Sequence, residues 1–315
     1  MSDSTAPLYD VVMIGAGPAA LTAAIYTTRE DIQTVLYEKG VIGGLAAITD
    51  WVDNYPGFAQ GVSGMELADS LRQQAERFGA KIELGEVISL KTDGAIKVLD
   101  TTDGEIRAKA VLIATGSDYK KLGIPGEQEY YGRGVHYCAT CDGAFYRDKR
   151  LVVIGGGNSA VQEAMFLTKF ASHIELLVRG DKMRASEVLQ HDLKKFADKI
   201  TVHMNTVPVS IDAVDNKVTK VVTKDAVSGE SKDIETDGVF VFIGLLPNTA
   251  FLKDSGVALD EVGLIKTDEN LATALPGVFC AGDVRSGATM QIASAAGEGA
   301  TAALRIREYL EANHK

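Results

Sequence analysis

A strand, a glycine turn and a helix occur twice in this chain, and no other feature limits its fold as tightly. Tyr9-Asp10-Val11-Val12-Met13-Ile14 is a run of apolar and β-branched residues, the pattern of a strand buried on both faces. It leads into Gly15-Ala16-Gly17-Pro18-Ala19-Ala20, a G-x-G-x-x-A turn, and Leu21 to Arg29 continues as a helix. The same order returns 140 residues later. Leu151-Val152-Val153-Ile154 is the strand, Gly155-Gly156-Gly157-Asn158-Ser159-Ala160 the turn, Val161 to Phe170 the helix and Ile174 to Val178 the next strand. In such a turn the first glycine permits the bend and the second lets a pyrophosphate approach the backbone. The small third residue lets the helix pack close, with its first N–H groups facing the phosphates. Both halves therefore predict α/β structure around a dinucleotide.

The two copies differ where a ribose would sit. The first continues into Thr34-Val35-Leu36-Tyr37 and ends at Glu38, whose carboxylate can accept from a ribose 2′-hydroxyl and would repel a 2′-phosphate. An unphosphorylated adenosine, as in FAD or NAD, fits there. The second ends in Val178-Arg179-Gly180-Asp181-Lys182-Met183-Arg184, with no carboxylate at the ribose position. Arg179, Lys182 and Arg184 place cations where a 2′-phosphate would lie, which favours NADP over NAD. A solvated basic turn is the plain alternative.

Just before the second copy stands His136-Tyr137-Cys138-Ala139-Thr140-Cys141-Asp142-Gly143. Two cysteines at this spacing can close a disulfide or open to a dithiol, and Asp142 follows where it could shuttle a proton. Zinc sites also use Cys-x-x-Cys. A structural zinc needs four ligands, and besides the pair only Cys280 remains, with His136 close by and His173, His191, His203 and His314 scattered. A redox pair fits better than a metal. Lying between two dinucleotide fingerprints, the dithiol joins an electron donor and an intermediate carrier on one chain.

At 315 residues two domains are the prior. With 32 basic against 43 acidic residues and a net charge of −11, the chain has no footprint for nucleic acid or an anionic membrane. Met1 to Pro7 lacks the basic and apolar regions of a signal peptide, and no uncharged apolar stretch is long enough to span a bilayer. Three cysteines do not make a secreted disulfide framework, so a reactive pair in a reducing cytoplasm is expected.

Elsewhere the patterns are these. Gly40 to Leu45 and Asn54 to Phe58 are loops rich in glycine and aromatics, suited to a surface under a long cofactor or to ordinary turns. Met65 to Phe78 has helical spacing and stops at Gly79. Lys81 to Ala110 reads as short strands with turns at Asp93-Gly94 and Asp103-Gly104, and Val111 to Gly116 as a separate apolar strand. A domain crossing is placed near Ser117. Phe145-Tyr146-Arg147 suits either local packing or an exposed grip for a protein substrate. Val202 to Val222 and Ser231 to Val241 read as strands, the latter running into Phe242-Ile243-Gly244 near a return crossing. Val278 to Val284 is a strand and turn carrying Asp283, placed to bind a ribityl or ribose hydroxyl, and Gln291 to His314 a helix with many small residues. Cys280 reads as an inert buried thiol.

Taken together, these residues resemble the low-molecular-weight, bacterial-type thioredoxin reductases over nearly the whole length, and Cys-Ala-Thr-Cys-Asp-Gly is a specific signal. The resemblance implies two Rossmann-like domains of three-layer β/β/α type, the second inserted into the first. It implies an FAD-binding domain from residues 1–117 and 246–315 and an NADP-binding domain from 118–245 that carries the dithiol. Flavin-domain contacts are expected from Gly15, Gly17, Pro18, Ala19, Glu38, Gly43, Gly44, Leu45, Asn54, Val87, Ala114, Thr115, Gly116, Gly282, Asp283, Gln291, Ile292 and Ala293. Nucleotide contacts are expected from Gly155, Gly157, Asn158, Ser159, Ala160, Arg179, Lys182, Arg184 and Gly244. Hydride would pass from NADPH to FAD and on to the Cys138–Cys141 disulfide, with Cys141 facing the flavin, Cys138 attacking thioredoxin or a thioredoxin-like protein, and Asp142 as general acid and base. A homodimer is implied as well.

Three departures stand out. Val178-Arg179-Gly180 replaces the usual His-Arg-Arg, Gly43-Gly44-Leu45 replaces Gly-Gly-Gln, and Met290-Gln291 replaces Arg-Gln. Rivals are the same flavoprotein run as a dithiol oxidase or fed by NADH or another donor. From another class comes a redox-sensing dinucleotide-binding protein without turnover, which would need neither an electron relay nor a proton donor.

Overall fold

The structure is a computed structural model that describes residues 6–49 and 51–313. The amino-terminal reading through Thr5 and the candidate ligand His314 lie outside them. Contacts divide the chain into two units, Met1–Asp118 with Leu246–Lys315, and Tyr119–Leu245.

In the first unit β1 (Leu8–Ile14), β2 (Thr34–Glu38) and β3 (Lys81–Leu84) are parallel neighbours. β4 (Val87–Asp93), β5 (Ile96–Thr101) and β6 (Gly104–Ile113) form an antiparallel meander. β6 does two jobs along its ten residues, which the sequence reading had divided into separate strands. On one edge its first half pairs with β5 and its end pairs in parallel with β17 (Val278–Cys280), while β1 runs parallel along the other edge from Arg107 to Ile113. Val11, Val12 and Met13 are fully buried in the middle of this sheet, each contributing about 1.5–3 kcal/mol from apolar burial. α1 (Pro18–Thr28) lies against α7 (Ile292–Asn313) through Ala19, Ala20, Ala23 and Ala24. A Cβ on Gly299 would run into the Ala19 carbonyl oxygen, so only glycine lets these helices approach so closely. α2 (Gly44–Ala47) is a single turn, and α3 (Gly64–Arg77) is capped by Ser63, whose hydroxyl accepts from Glu66 N–H at 3.1 Å. β7 (Ser117–Tyr119) completes the outward stretch.

The second unit repeats the scheme. β8 (Val135–His136) precedes a short helix α4 (Ala139–Asp142), then β9 (Arg150–Ile154), α5 (Asn158–Leu167), β10 (His173–Leu177), α6 (Glu187–Leu193) and β11 (Ile200–His203) follow. With β15 (Gly238–Val241) they build a parallel sheet in the order β11-β10-β9-β15-β8. β12 (Thr206–Val214), β13 (Lys217–Asp225) and β14 (Ser231–Glu235) form a separate antiparallel sheet, and β16 (Leu245–Pro247) pairs with β7.

Two readings from sequence are corrected here. Val202 to Val222 is not one strand: it breaks at Asn205 and folds back at Asp215-Asn216, both with positive φ of 51° and 60°. Paired positive φ values make a tight hairpin turn without glycine. Ser231 to Val241 is likewise two strands in two different sheets. Among the described residues no helix is long and apolar enough to cross a membrane, and no cluster of His, Cys, Asp and Glu could hold a metal ion.

Candidate active site

The two glycine turns are built on the same plan. Gly15 has φ of 101°, and a Cβ there would stand 2.5 Å from the Ala114 carbonyl oxygen at the end of β6. Gly155 has φ of 147°, and its Cβ would strike the Phe242 carbonyl oxygen just past β15. These two glycines are required by the protein itself. Gly17 and Gly157 are not: each has ordinary extended backbone, and a Cβ would meet nothing within 4 Å. Open space above a glycine that packing does not need is what a closely approaching pyrophosphate requires, so both turns fit a dinucleotide. Pro18 starts α1, while Ala19 and Ala160 are buried and Ser159 is exposed.

Around the first turn, Ala16 N–H donates to Glu38 Oε2 and Gly40 N–H to Glu38 Oε1, both at 2.7 Å. The carboxylate is thus fixed at the tip of β2, with lone pairs to spare. Gly43 N–H donates to the Ala16 carbonyl, and Gly44 lies opposite the Gly17 Cα. Leu45 is half-buried in α2. Asn54 Nδ2 donates to Gln291 Oε1 at 3.0 Å, joining two residues distant in sequence. Ile292 packs with Val52, Val62 and Leu67, and Ala293 is half-buried beside it. Val87 is placed differently: its side chain is in the core, so only its backbone is available. Thr115 and Asn248 exchange hydrogen bonds with each other's carbonyls, at 2.8 and 3.1 Å, which fixes the segment through Gly116.

Asp283 sits in a turn anchored by an ion pair that sequence reasoning missed. Arg285 grips Glu298 at 2.6 and 3.1 Å, and Glu298 also accepts from Gly282 N–H at 2.8 Å. The i-to-far spacing of that pair left no local signal. Among the described residues no protein donor reaches the Asp283 carboxylate, as a site awaiting sugar hydroxyls would leave it. Burial, then the Glu298 charge, raises its pKa to about 6. With the group's ordinary value near 3.9, Asp283 is protonated in cofactor-free protein at about pH 4 and costs little there, and the cost grows as pH rises to about 6, where the folded carboxyl ionises and the cost levels off. Asp283→Asn stripped of cofactor should therefore unfold at higher denaturant than wild type at neutral pH, by about 1–2 kcal/mol, and match it near pH 4. Equal midpoints at both pH values would overturn this account of the carboxylate.

At the second turn, Arg184 N–H and Ala185 N–H both donate to the Gly156 carbonyl, at 2.7 and 3.1 Å, and Ser186 N–H donates to Asn158 Oδ1 at 2.9 Å. The loop after β10 is thereby stapled to the glycine turn. Arg179, Lys182 and Arg184 are exposed on it, and among the described residues none has an ion-pair partner. Val178 is buried at 2% exposure against Gly156. Gly244 has its open side toward the Lys120 side chain.

The dithiol is closed: Cys138 and Cys141 form a disulfide with Cα atoms 5.3 Å apart. Cys138 caps α4, and its Sγ accepts from Cys141 N–H at 3.2 Å. Asp142 lies next in the same turn, with Oδ2 3.2 Å from Nδ1 of the buried His136. Of the two aromatics, Phe145 is exposed, at 55%, and Tyr146 is half-buried. Tyr146 packs on Phe240 and His136, and Arg147 lies over Phe170. Cys280 is fully buried in β17, which pushes its thiol pKa up and leaves it inert.

Comparison with known proteins agrees with this arrangement. Residues 9–299 match the family model for pyridine nucleotide-disulphide oxidoreductases. A thioredoxin reductase of Bacillus subtilis is 42% identical over 305 residues, covering 96% of this chain and 95% of the relative. One from Treponema pallidum is 40% identical over 306 residues, covering 96% and 97%. The crystal structure of thioredoxin reductase from Streptococcus pyogenes aligns with a TM-score of 0.92 at 40% identity, covering 98% of this chain and all of that one. The thioredoxin reductase of Giardia duodenalis aligns at 0.91 and 32% identity, covering 97% and 99%.

Proposed function

We propose that this chain, which belongs to the pyridine nucleotide-disulphide oxidoreductase family, is an NADPH-dependent thioredoxin reductase. One observation carries the proposal: the Cys138–Cys141 disulfide closes directly beside Asp142, in the unit that also holds a glycine turn with an unpaired basic loop. The bacterial relatives support thioredoxin as the substrate. FAD and NADP belong to the same proposal, as do a homodimer and a cytoplasmic setting.

A bound flavin would supply the two-electron link between nicotinamide and disulfide. Gly15, Gly17 and Glu38 would hold its adenosine diphosphate, and Asp283 a ribityl hydroxyl. Gly157 would admit the NADP pyrophosphate, with Arg179, Lys182 and Arg184 taking the 2′-phosphate. Once the disulfide is open, the Cys141 N–H pointed at Cys138 Sγ favours the thiolate there. Cys138 then attacks the partner's disulfide, Asp142 protonates the leaving thiolate, and Cys141 displaces the partner from Cys138. NADH in place of NADPH is a second reading, favoured by one observation: buried Val178 offers no cation at the phosphate position.

Purified protein should be yellow, with flavin absorbance, and should consume NADPH far faster than NADH in the presence of the organism's own oxidised thioredoxins. Colourless protein that cannot be reconstituted with FAD would sink the scheme. Consumption of NADH alone would select the second reading.

A further inference from the structure

Asp142 is not the end of the polar chain at the dithiol. His136 closes β8 beside Phe240 of β15, and its ring stacks on Phe240 with centroids 5.1 Å apart at 5% residue exposure. Its Nδ1 is 3.2 Å from Asp142 Oδ2, and its Nε2 is 2.7 Å from the Tyr146 hydroxyl. The Asp142 contact is an electrostatic one rather than an aligned hydrogen bond, and an ionised carboxylate at that distance favours the tautomer with its hydrogen on Nδ1. In the neutral ring Nε2 then accepts from Tyr146 O–H. The phenol keeps its proton, because burial, then the charges of Asp142 and Asp237, raise its pKa. Tyr146 itself is seated through Gly238, where any Cβ would strike its ring.

Resting on the thioredoxin reductase reading above, we propose that Tyr146 and His136 are positioning residues for Asp142, a buried chain that holds the carboxyl in the orientation needed to hand a proton to the departing thiolate. The step balances. The Cys138 thiol first gives its proton to the Asp142 carboxylate; Cys138 Sγ then bonds to one sulfur of the substrate disulfide as that bond breaks, and the other sulfur leaves with the proton that Asp142 returns. Cys141 Sγ then bonds to Cys138 Sγ and releases the second thiol. The enzyme dithiol is oxidised, the substrate disulfide is reduced, and the two protons of the dithiol end on the product. A poor leaving thiolate needs its proton early, whereas an aromatic nitrobenzoate thiolate leaves without one.

The leaving group therefore separates positioning from structural damage. In the flavin-loaded enzyme, His136→Ala should lower kcat with a protein disulfide by about tenfold, a part of what a general acid supplies. With a bis(nitrobenzoate) disulfide the change should stay under about twofold. His136→Asn keeps an N–H donor near the Nδ1 position and should restore most of the lost rate, and Tyr146→Phe should show a smaller loss with the same substrate dependence. Equal losses on both disulfides would mean the residues only hold the fold, and no loss on either would mean they play no part; both results overturn the proposal. A wild-type enzyme that reduces the aromatic disulfide but no thioredoxin overturns the underlying reading instead, and is told apart because it is seen before any variant is made.

Discussion

Cys141→Ser should accumulate a covalent complex with a thioredoxin that lacks its own resolving cysteine, and reductant should cleave it. Exchange passes through a mixed disulfide, so one sulfur must reach the partner and the other must resolve the adduct. Cys138 is the better nucleophile on structural grounds. It is the residue that caps α4, and its Sγ receives the Cys141 N–H at 3.2 Å, a donor that a serine at 141 still provides from its backbone. Cys138→Ser keeps an acceptor for that N–H in its hydroxyl but loses the attacking sulfur, leaving Cys141 inside the turn, and should trap little or nothing. Either substitution should lower turnover by about a thousandfold or more, because each sulfur is a covalent participant. On the proposed function, both proteins should keep FAD and still bleach its absorbance with NADPH, since neither cysteine takes part in that proposed step. Gel electrophoresis without reductant reads the adduct directly. Trapping by Cys138→Ser but not by Cys141→Ser would reverse the roles.

The parts of this fold that were legible are those where a local rule leaves no choice. Gly15 and Gly155 sit under a carbonyl with positive φ, and the strand before each is too uniformly apolar to lie anywhere but inside a parallel sheet. The hairpin at Asp215-Asn216 was missed because no glycine marks it, although aspartate and asparagine tolerate the same backbone. β6 was divided in two because its pattern changes from alternating to continuous where its neighbours change from β5 to β17. The site divides in the same way. Cys138, Cys141 and Asp142 are adjacent in sequence and were read together. His136 was weighed only as a metal ligand, since its proper partner, the Tyr146 hydroxyl, comes within reach only when Gly238 clears room for that ring. The Arg285–Glu298 pair likewise exists only once α7 folds back over the Asp283 turn.

The nucleotide preference is the place where the departure from the family pattern and the geometry pull in opposite directions, and a double substitution decides between them. Val178 contributes no charge, being packed beneath Gly156. Arg179 and Arg184 are exposed, have no ion-pair partner among the described residues, and ride on a loop whose backbone is tied to the Gly156 carbonyl. Glu38 at the first turn shows the contrast: there a carboxylate stands fixed by two backbone donors where a phosphate would be repelled. If the arginines hold the 2′-phosphate, each contributes about 1.5–3 kcal/mol through charge-assisted hydrogen bonds. Replacing both by alanine should raise the Michaelis constant for NADPH by roughly a hundredfold or more, with NADH little altered. Added salt should shrink the wild-type preference as well, since these cations are solvent-exposed and screened within about 10 Å at moderate ionic strength. Lys182 supplies a third cation on the same loop, so a residual preference in the double variant should vanish when it too becomes alanine. Equal loss with both nucleotides would show that the loop supports the dinucleotide turn rather than reading its phosphate.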